Sequence, residues 1–584
     1  MILFDVAKVT YDNSWGINMN RHKRIKIFNA DGVSAADVRI EYWGGGRDEI
    51  IKNVEAATYN LVNNKLEKTI LEKDQQFTVK IDKQRKALVF TFPNIKAGSV
   101  VEYKYTLHTR HPYNYPNWFF QKNFPTRYSE FDGGFEFGYR INGVKKLTQP
   151  LVIDSSLSVK RGTRHIWAMA NIPSFRLEPY MHSIEDNLQS IYFKPVGRFN
   201  SWEYVTIEVL NDEDFGLQLI KKLDNEDGII AKAKALKTDN EKMAFLFDTV
   251  KNTVKWNDED RWFTNDGIQK AWTKKTGNST EINLILYHFL KSSGINPKLI
   301  VLGTREHGEL ELDNAGFGRL NKTVVQVPID SLNYFVLDAT AKYNTYNSTP
   351  YELLGLNMLS IDPGTRRFNL IKLQNNQQSV EVIFVNAEIK SGKLEGTTQL
   401  SSSNYKRIDK LLLYDKLGDK KYIDDVFKIN DDAIKIDSFK INMQVDTLPL
   451  REDFNFKMDI TGVDGDYIYF NPNIFTGLGP NPFLSETRFS DIDFVYLNKY
   501  IINGRYKIPA GYKVDALPKQ LTIIMADKSI SFNRTIGEME GAIIVHYVIS
   551  FAKAKYKREE YPVLRDFYKK MYELLNEQIV LKKS

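Results

Sequence analysis

The sequence predicts a multidomain α+β protein: an N-terminal antiparallel β-sandwich, a central α+β domain, and a C-terminal β-sandwich-like domain with a terminal helix. Three observations carry this. Strand-like alternation dominates residues 1–215, helical spacing takes over in 216–355, and alternation returns in 356–584. A chain of 584 residues is also too long for one hydrophobic core, so these ranges are read as separate units.

In the first unit Val101, Tyr103, Tyr105 and Leu107 alternate with Glu102, Lys104 and Thr106, the period of a half-buried strand. Residues 22–28 and 87–92 are strand-like too. Gly44-Gly45-Gly46, Pro93-Asn94 and Ala97-Gly98 mark turns between such runs, as in a sandwich.

The second unit opens on Thr238-Asp239-Asn240-Glu241, which has capping-box form and precedes Met243, Leu246, Phe247, Val250 and Val254 at helical spacing. A second helix runs from Ser279 or Thr280 to Ser293 and stops at Gly294, with Pro297 beyond. Strands follow at 298–302, 323–327 and 334–337. A stretch with Pro350, Pro363 and Gly364, over 344–367, reads as a linker. In the third unit, 543–551 alternates cleanly, 403–428 reads as a helical insertion, and 564–580 reads as an amphipathic helix.

Composition excludes several functions. Hydrophobic content of 42% and charged content of 26% belong to a folded globular chain. A net charge of +7, from 80 basic and 73 acidic residues, gives no basis for nucleic-acid binding. The longest apolar run, 542–552, is interrupted by His546 and Ser550 and falls short of the roughly 20 residues of a membrane span. No cysteine is present, which excludes disulfides, thiolate metal sites and a thiolate nucleophile. The eight histidines include no His-Glu-x-x-His; His108-x2-His111 and the acidic run Asp212-Glu213-Asp214 are weak metal candidates, so neither metal nor cofactor is expected. Aromatics at 113–120 could stack on sugar rings, but packing in a sandwich core accounts for them better. The chain passes from Met1 straight into Ile2-Leu3-Phe4 without a basic leader, as in a cytoplasmic protein or a processed one.

The chemically specific segment is Trp272-x4-Gly277-Asn278-Ser279-Thr280-Glu281-Ile282-Asn283. After it come Gly303-Thr304-Arg305-Glu306-His307-Gly308, the strand from Leu320-Asn321-Lys322, and Leu337-Asp338-Ala339-Thr340. This order resembles the transglutaminase-like domain, a relative of the papain-like fold, in which a Cys opens a helix, a His lies on a following strand and an Asp ends the next. The resemblance places Ser279 at the Cys position, Lys322 at the His position and Asp338 at the Asp position; only the last matches. Ala56-Ala57-Thr58-Tyr59-Asn60, residues 92–103, Pro509-Ala510-Gly511-Tyr512 and residues 576–582 extend it. Together they are similar to bacterial envelope proteins with such a core between two β-rich domains of unknown function. That implies a periplasmic or cell-surface location, with a signal peptide removed ahead of this chain.

The residues themselves admit plain roles. Ser279 reads as the helix N-cap, Lys322 as a solvated strand residue and Asp338 as the head of an Asx-type turn. Arg305 reads as salt-bridged and His307 as exposed, with ligand binding as the sharper reading. The expected function is a non-catalytic envelope protein whose core binds a peptide, glycan or protein partner through Trp272, Arg305 and His307. The alternatives are a serine-dependent acyl-transfer enzyme or peptidase using Ser279, with Lys322 as a desolvated base, and a structural spacer.

Overall fold

The structure is a computed structural model; it describes all residues except 13–15, 46–48, 111–114, 137–140, 161, 196–199, 331–332, 375–376, 429–432, 444–448, 461 and 477. The protein is multidomain and mostly β, with helices concentrated in its middle.

The N-terminal part is built on an eight-stranded sheet running Ile153–Val159, Gly162–Ile172, Thr126–Glu136, Ile2–Tyr11, Ile17–Lys26, Val100–Thr109, Ile50–Val62 and Lys65–Ile70 across its width. Neighbours are antiparallel except Ile2–Tyr11 beside Thr126–Glu136, which is parallel. The expected purely antiparallel sandwich is therefore a mixed sheet. Two separate cores lie on it: one around Val38, Phe90, Val101 and Tyr103, the other around Trp118, Phe131, Trp167 and Phe193. Two small three-stranded sheets supply the facing residues. A sheet this wide twists too far for one short sheet to cover it. Tyr115, Trp118 and Phe120 of the aromatic run are buried here, whereas Tyr113 and Asn114 lie outside the described residues, as does His111.

Beside Trp118 three cations, Arg21, Lys23 and Lys122, share one fully buried carboxylate, Asp5, which Arg21 holds at 2.6 Å. Burial, then repulsion from Arg21, lowers the Lys122 pKa to about 7. Its unfolded pKa lies near 10.4, so between about pH 7 and 10 the unfolded chain binds more protons and stability rises with pH. Lys122→Met is therefore expected to stabilise the fold by on the order of 1 kcal/mol or more at pH 6, with the gain fading toward pH 10. Thermal melts of both proteins across that range check the sign.

The centre is a five-stranded antiparallel sheet in the order Tyr334–Leu337, Lys322–Pro328, Lys298–Leu302, Asn357–Asp362 and Arg367–Lys372. Asn357–Asp362 and the start of Arg367–Lys372 come from the stretch read as a linker. On the other side, the helix Trp202–Asn211 packs through Val205 and Val209 into the central core, so that core reaches beyond 216–355 in both directions. The capping box forms as expected, with Thr238 and Glu241 bonded reciprocally at the head of Asp239–Thr253. The helix Ser279–Ser292 is buried from Ser279 through Leu290. It is enclosed by helices on one side and the sheet on the other, which is why it is apolar around nearly its whole circumference. The opposite face of the sheet, with Ile300, Val324 and Met358, packs on Tyr405, Ile408 and Tyr496 of the C-terminal part. Coverage on both faces explains strands that read as unbroken apolar runs.

The C-terminal part repeats the N-terminal plan. Ser379–Lys390 pairs antiparallel with Lys393–Ser402 and parallel with Asn498–Lys507 at the middle of a second eight-stranded sheet. The helical insertion is Asn404–Ile423, and the final helix is Tyr561–Leu575. That helix is shorter than expected. Asn576 caps it, and Ile579–Lys583, with Ile579 and Leu581 buried on alternate residues, joins a four-stranded sheet instead.

Candidate functional site

Asn278, not Ser279, is the N-cap of the buried helix. Its Oδ1 accepts from Glu281 N at 2.9 Å while Glu281 Oε2 accepts from Asn278 N at 2.8 Å. Ser279 is therefore the first helical residue. Its N–H donates to Glu259 O at 3.0 Å, and its hydroxyl, with no exposed surface, faces Arg261 N at 3.4 Å. Thr280 Oγ1 donates to Arg261 O at 2.5 Å, so residues 259–261 lie across the helix N-terminus. Of the first-turn N–H groups that would stabilise an anion there, those of Ser279 and Glu281 have protein partners instead.

One helical turn on, at i+4 from Ser279, Asn283 joins the helix to two strands. Its Nδ2 donates to Thr323 O and to Asp338 Oδ1, both at 2.9 Å, and its Oδ1 accepts from Ala339 N at 2.9 Å. Asp338 Oδ1 also accepts from Thr340 N at 3.0 Å, the Asx-type turn expected from the sequence. Asp338 Oδ2 lies 2.9 Å from Lys322 Nζ.

Lys322 is not solvated. It retains 7% of its surface, because the strand carrying it is covered on both faces. Its ammonium lies 3.4 Å from Asp260 Oδ1 and 5.5 Å from the centre of the Trp256 ring. Burial alone would lower the Lys322 pKa, but the Asp338 and Asp260 carboxylates reverse this and hold it well above the ordinary lysine value. Burial would likewise raise Asp338; Lys322 and the bonds from Asn283 and Thr340 overcome it and hold the carboxyl below its usual range. No hydrogen bond joins Ser279 to Lys322 among the described residues.

The three motif positions thus belong to one cluster, whereas the expected binding residues do not. Trp272 is 5% exposed, donates to Asp224 O at 2.9 Å and packs on Phe289, so it is part of the core rather than a cleft wall. Arg305 is engaged by Asp493 and by Leu354 O, and His307 bonds Gly318 O at 3.0 Å. Among the described residues no group of acidic and histidine side chains is arranged to hold a metal ion, and no helix is long and apolar enough to cross a membrane.

Four partners escaped the sequence reading: Asp260, Trp256, Asn283 and Asp82. Asn283, one turn from Ser279 on an otherwise apolar helix, carried a signal. Asp82 carried none, since it comes from the N-terminal part. It sits in the turn between Phe77–Lys80 and Lys86–Thr91, where its Oδ2 accepts from Arg261 Nε at 3.0 Å. The neighbouring Lys83 reaches Asp214 at 2.7 Å and Glu213 at 3.3 Å, which gives the acidic run a partner.

No curated protein matches the chain. Residues 17–142 match one domain of unknown function (DUF3857) and residues 466–581 another (DUF3858), each described as having a solved structure. A solved structure from Parabacteroides distasonis ATCC 8503, named "a putative protease", superposes with a TM-score of 0.62 at 13% identity, covering 100% of this chain and 99% of that one. At that identity the likeness is one of fold. The chain therefore has two domains of unknown function flanking a central unit, in an architecture shared along its length with the Parabacteroides protein.

Proposed function

We propose that this is a non-catalytic protein of the bacterial envelope, in which a transglutaminase-like core with a degenerate triad holds two β-rich domains in fixed relation. One observation carries the reading: the residue at the base position, Lys322, is a buried ammonium 2.9 Å from Asp338 and 3.4 Å from Asp260. A base must first lose its proton, and two carboxylates oppose that loss. Ser279, with its hydroxyl beside a backbone N–H and no acceptor for its proton among the described residues, is left as an unactivated alcohol.

Scaffolding is favoured over ligand capture within the core. Of the residues expected to line a cleft, Trp272 is packed in the core and Arg305 ties the central unit to the C-terminal part, and further pairs join the parts. Arg305 pairs with Asp493, Lys555 donates to Gly355 O at 3.0 Å, and Lys194 pairs with Glu311 at 2.7 Å. Glu178 accepts from Phe489 N and Ser490 N at 3.1 and 3.0 Å. A second reading, a serine peptidase or acyl-transfer enzyme using Ser279, draws on the name of the Parabacteroides protein. It would require the 259–261 segment to move and Lys322 to lose its proton.

Residue 279 can be interrogated directly, because the chain has no cysteine. The thiol introduced by Ser279→Cys should react with an aromatic disulfide reagent at least about 100-fold more slowly in the native protein than in urea, as expected of a buried group. The wild type should take up no fluorophosphonate at Ser279. Fast native thiol reaction together with fluorophosphonate on Ser279 would sink the scaffold reading in favour of the enzyme.

A further inference from the structure

The second eight-stranded sheet has one face buried and one face bare. Ile383, Val385, Phe454, Phe456 and Ile502 point into the C-terminal core beneath its helices. The alternate residues point out, and strand register aligns them in rows across the sheet. One row reads Asp453, Gln399, Phe384, Asn503, His546; the next reads Asn455, Thr397, Asn386, Arg505, Ile544. They line an open groove of about 1050 Å³. Its outer wall is bent by a register shift between Asp437 and Lys440, where Ser438 has φ +55°.

The lining is specific in chemistry. Phe384, 49% exposed, is flanked along its row by amides rather than by other apolar side chains. Two polar pairs are pre-oriented: Gln399 Nε2 donates to Asp453 Oδ1 at 2.8 Å, and His546 Nδ1 and Asn503 Oδ1 share a bond of 2.8 Å. Asn386, Thr397, Asn455 and Arg505 keep their side-chain hydrogen-bonding groups unengaged among the described residues. Amides and hydroxyls each donate and accept, so they match ligands whose polar groups also do both.

This combination narrows the ligand. Lys440 and Arg505 are offset by Asp437 and Asp453, so the groove sets up no field for a polyanion. It runs across the strands, and of the six only Ile434–Asn442 at the sheet edge has an unpaired side, which the register shift bends, so the groove floor offers no ladder to an extended peptide. It has no apolar stripe for a helix. A pyranose ring fits: its C–H face stacks on an aromatic ring while its rim of hydroxyls meets side-chain amides and hydroxyls. Six strands at about 4.8 Å spacing give roughly 24 Å of groove, the span of several sugar units rather than one.

We propose that this face binds a neutral oligosaccharide, with Phe384 beneath one sugar ring, Asn386 and Asn503 beside that ring, and Asn455 on the hydroxyls of a neighbouring unit. The site is remote from Ser279, so the proposal is independent of the scaffold reading and goes beyond it.

The test is native affinity electrophoresis of the full chain in gels containing starch, mixed-linkage β-glucan, xylan or galactomannan, with heparin as the anionic control. Retardation is expected in at least one neutral gel. Phe384→Ala should weaken it about tenfold and Asn386→Ala severalfold, with thermal melts unchanged because both side chains are exposed. Three results would overturn the proposal: no retardation in any neutral gel, retardation unaffected by both substitutions, or retardation by heparin alone. None of them bears on the reactivity of residue 279.

Discussion

Replacing Lys322 with methionine should destabilise the central unit by about 3–5 kcal/mol, the usual result of leaving a buried charge without its partner. Asp338, 4% exposed, would keep its bonds from Asn283 and Thr340 but lose the ammonium 2.9 Å away. The chain has several units, so a single unfolding midpoint is a poor readout. Hydrogen exchange of the amides of Ser279–Ser292 reports the opening of the helix that Asp338 and Asn283 anchor. Adding Asp338→Asn to the methionine variant should recover part of the loss, because the orphaned carboxylate goes with it; a coupling of at least about 1 kcal/mol is expected. Protection equal to wild type in the single variant would show that Lys322 is not held by the pair.

The pH dependence of that difference has a definite form. The folded Lys322 pKa is raised, so its contribution is complete below the unfolded lysine value, near 10.4, and is lost as pH climbs beyond it. The folded Asp338 pKa is lowered, so its contribution is complete above the unfolded value, near 3.9, and is lost as pH falls through the folded one. In the Lys322→Met variant Asp338 loses the charge that chiefly holds its pKa down. The difference from wild type should therefore be greatest in mildly basic solution, shrink as pH falls and Asp338 of the variant takes up a proton, and shrink again in strong base.

Glu281→Ala should cost several kcal/mol, since one carboxylate satisfies three backbone donors. Besides Asn278 N, its Oε1 accepts from Asp266 N at 2.6 Å and Gly267 N at 3.1 Å. Each buried donor left without a partner costs about 1–3 kcal/mol. Glu281→Gln keeps one acceptor oxygen, enough for Asp266 N and Gly267 N or for Asn278 N but not for all three, and should recover part of the loss. Exchange of amides 266–283 measures both; equal protection in the alanine variant would mean that water replaces the carboxylate without penalty.

Much of the fold was legible because local pattern and final environment agreed. The alternation of Val101–Leu107 and the capping box at Thr238 are short-range features, and both appear where the sequence places them. The stretch 344–367 misled for a physical reason. Pro350, Pro363 and Gly364 mark real turns, yet the short strand Asn357–Asp362 pairs with Lys298–Leu302, more than fifty residues back, and Arg367–Lys372 then pairs with Asn357–Asp362 at the sheet edge. The shared plan of the two eight-stranded sheets was equally hidden. Strand order depends on register and crossing, and unrelated apolar residues can fill the same places.

At the site, the residue types alone exclude thiolate chemistry, and it was the resemblance to the transglutaminase-like domain that singled out Ser279, Lys322 and Asp338. Tertiary structure decided what those residues are. Lys322 reads as solvated between Asn321 and Thr323, but a sheet covered on both faces buries it. Its charge is then kept by Asp338 and by Asp260, which comes from a loop some sixty residues earlier in the chain. Trp272 and Arg305, plausible as cleft walls, are committed to the core and to the C-terminal part. The reason is general: a side chain's chemistry is local, but its dielectric surroundings and its counter-charge are set by residues distant in sequence.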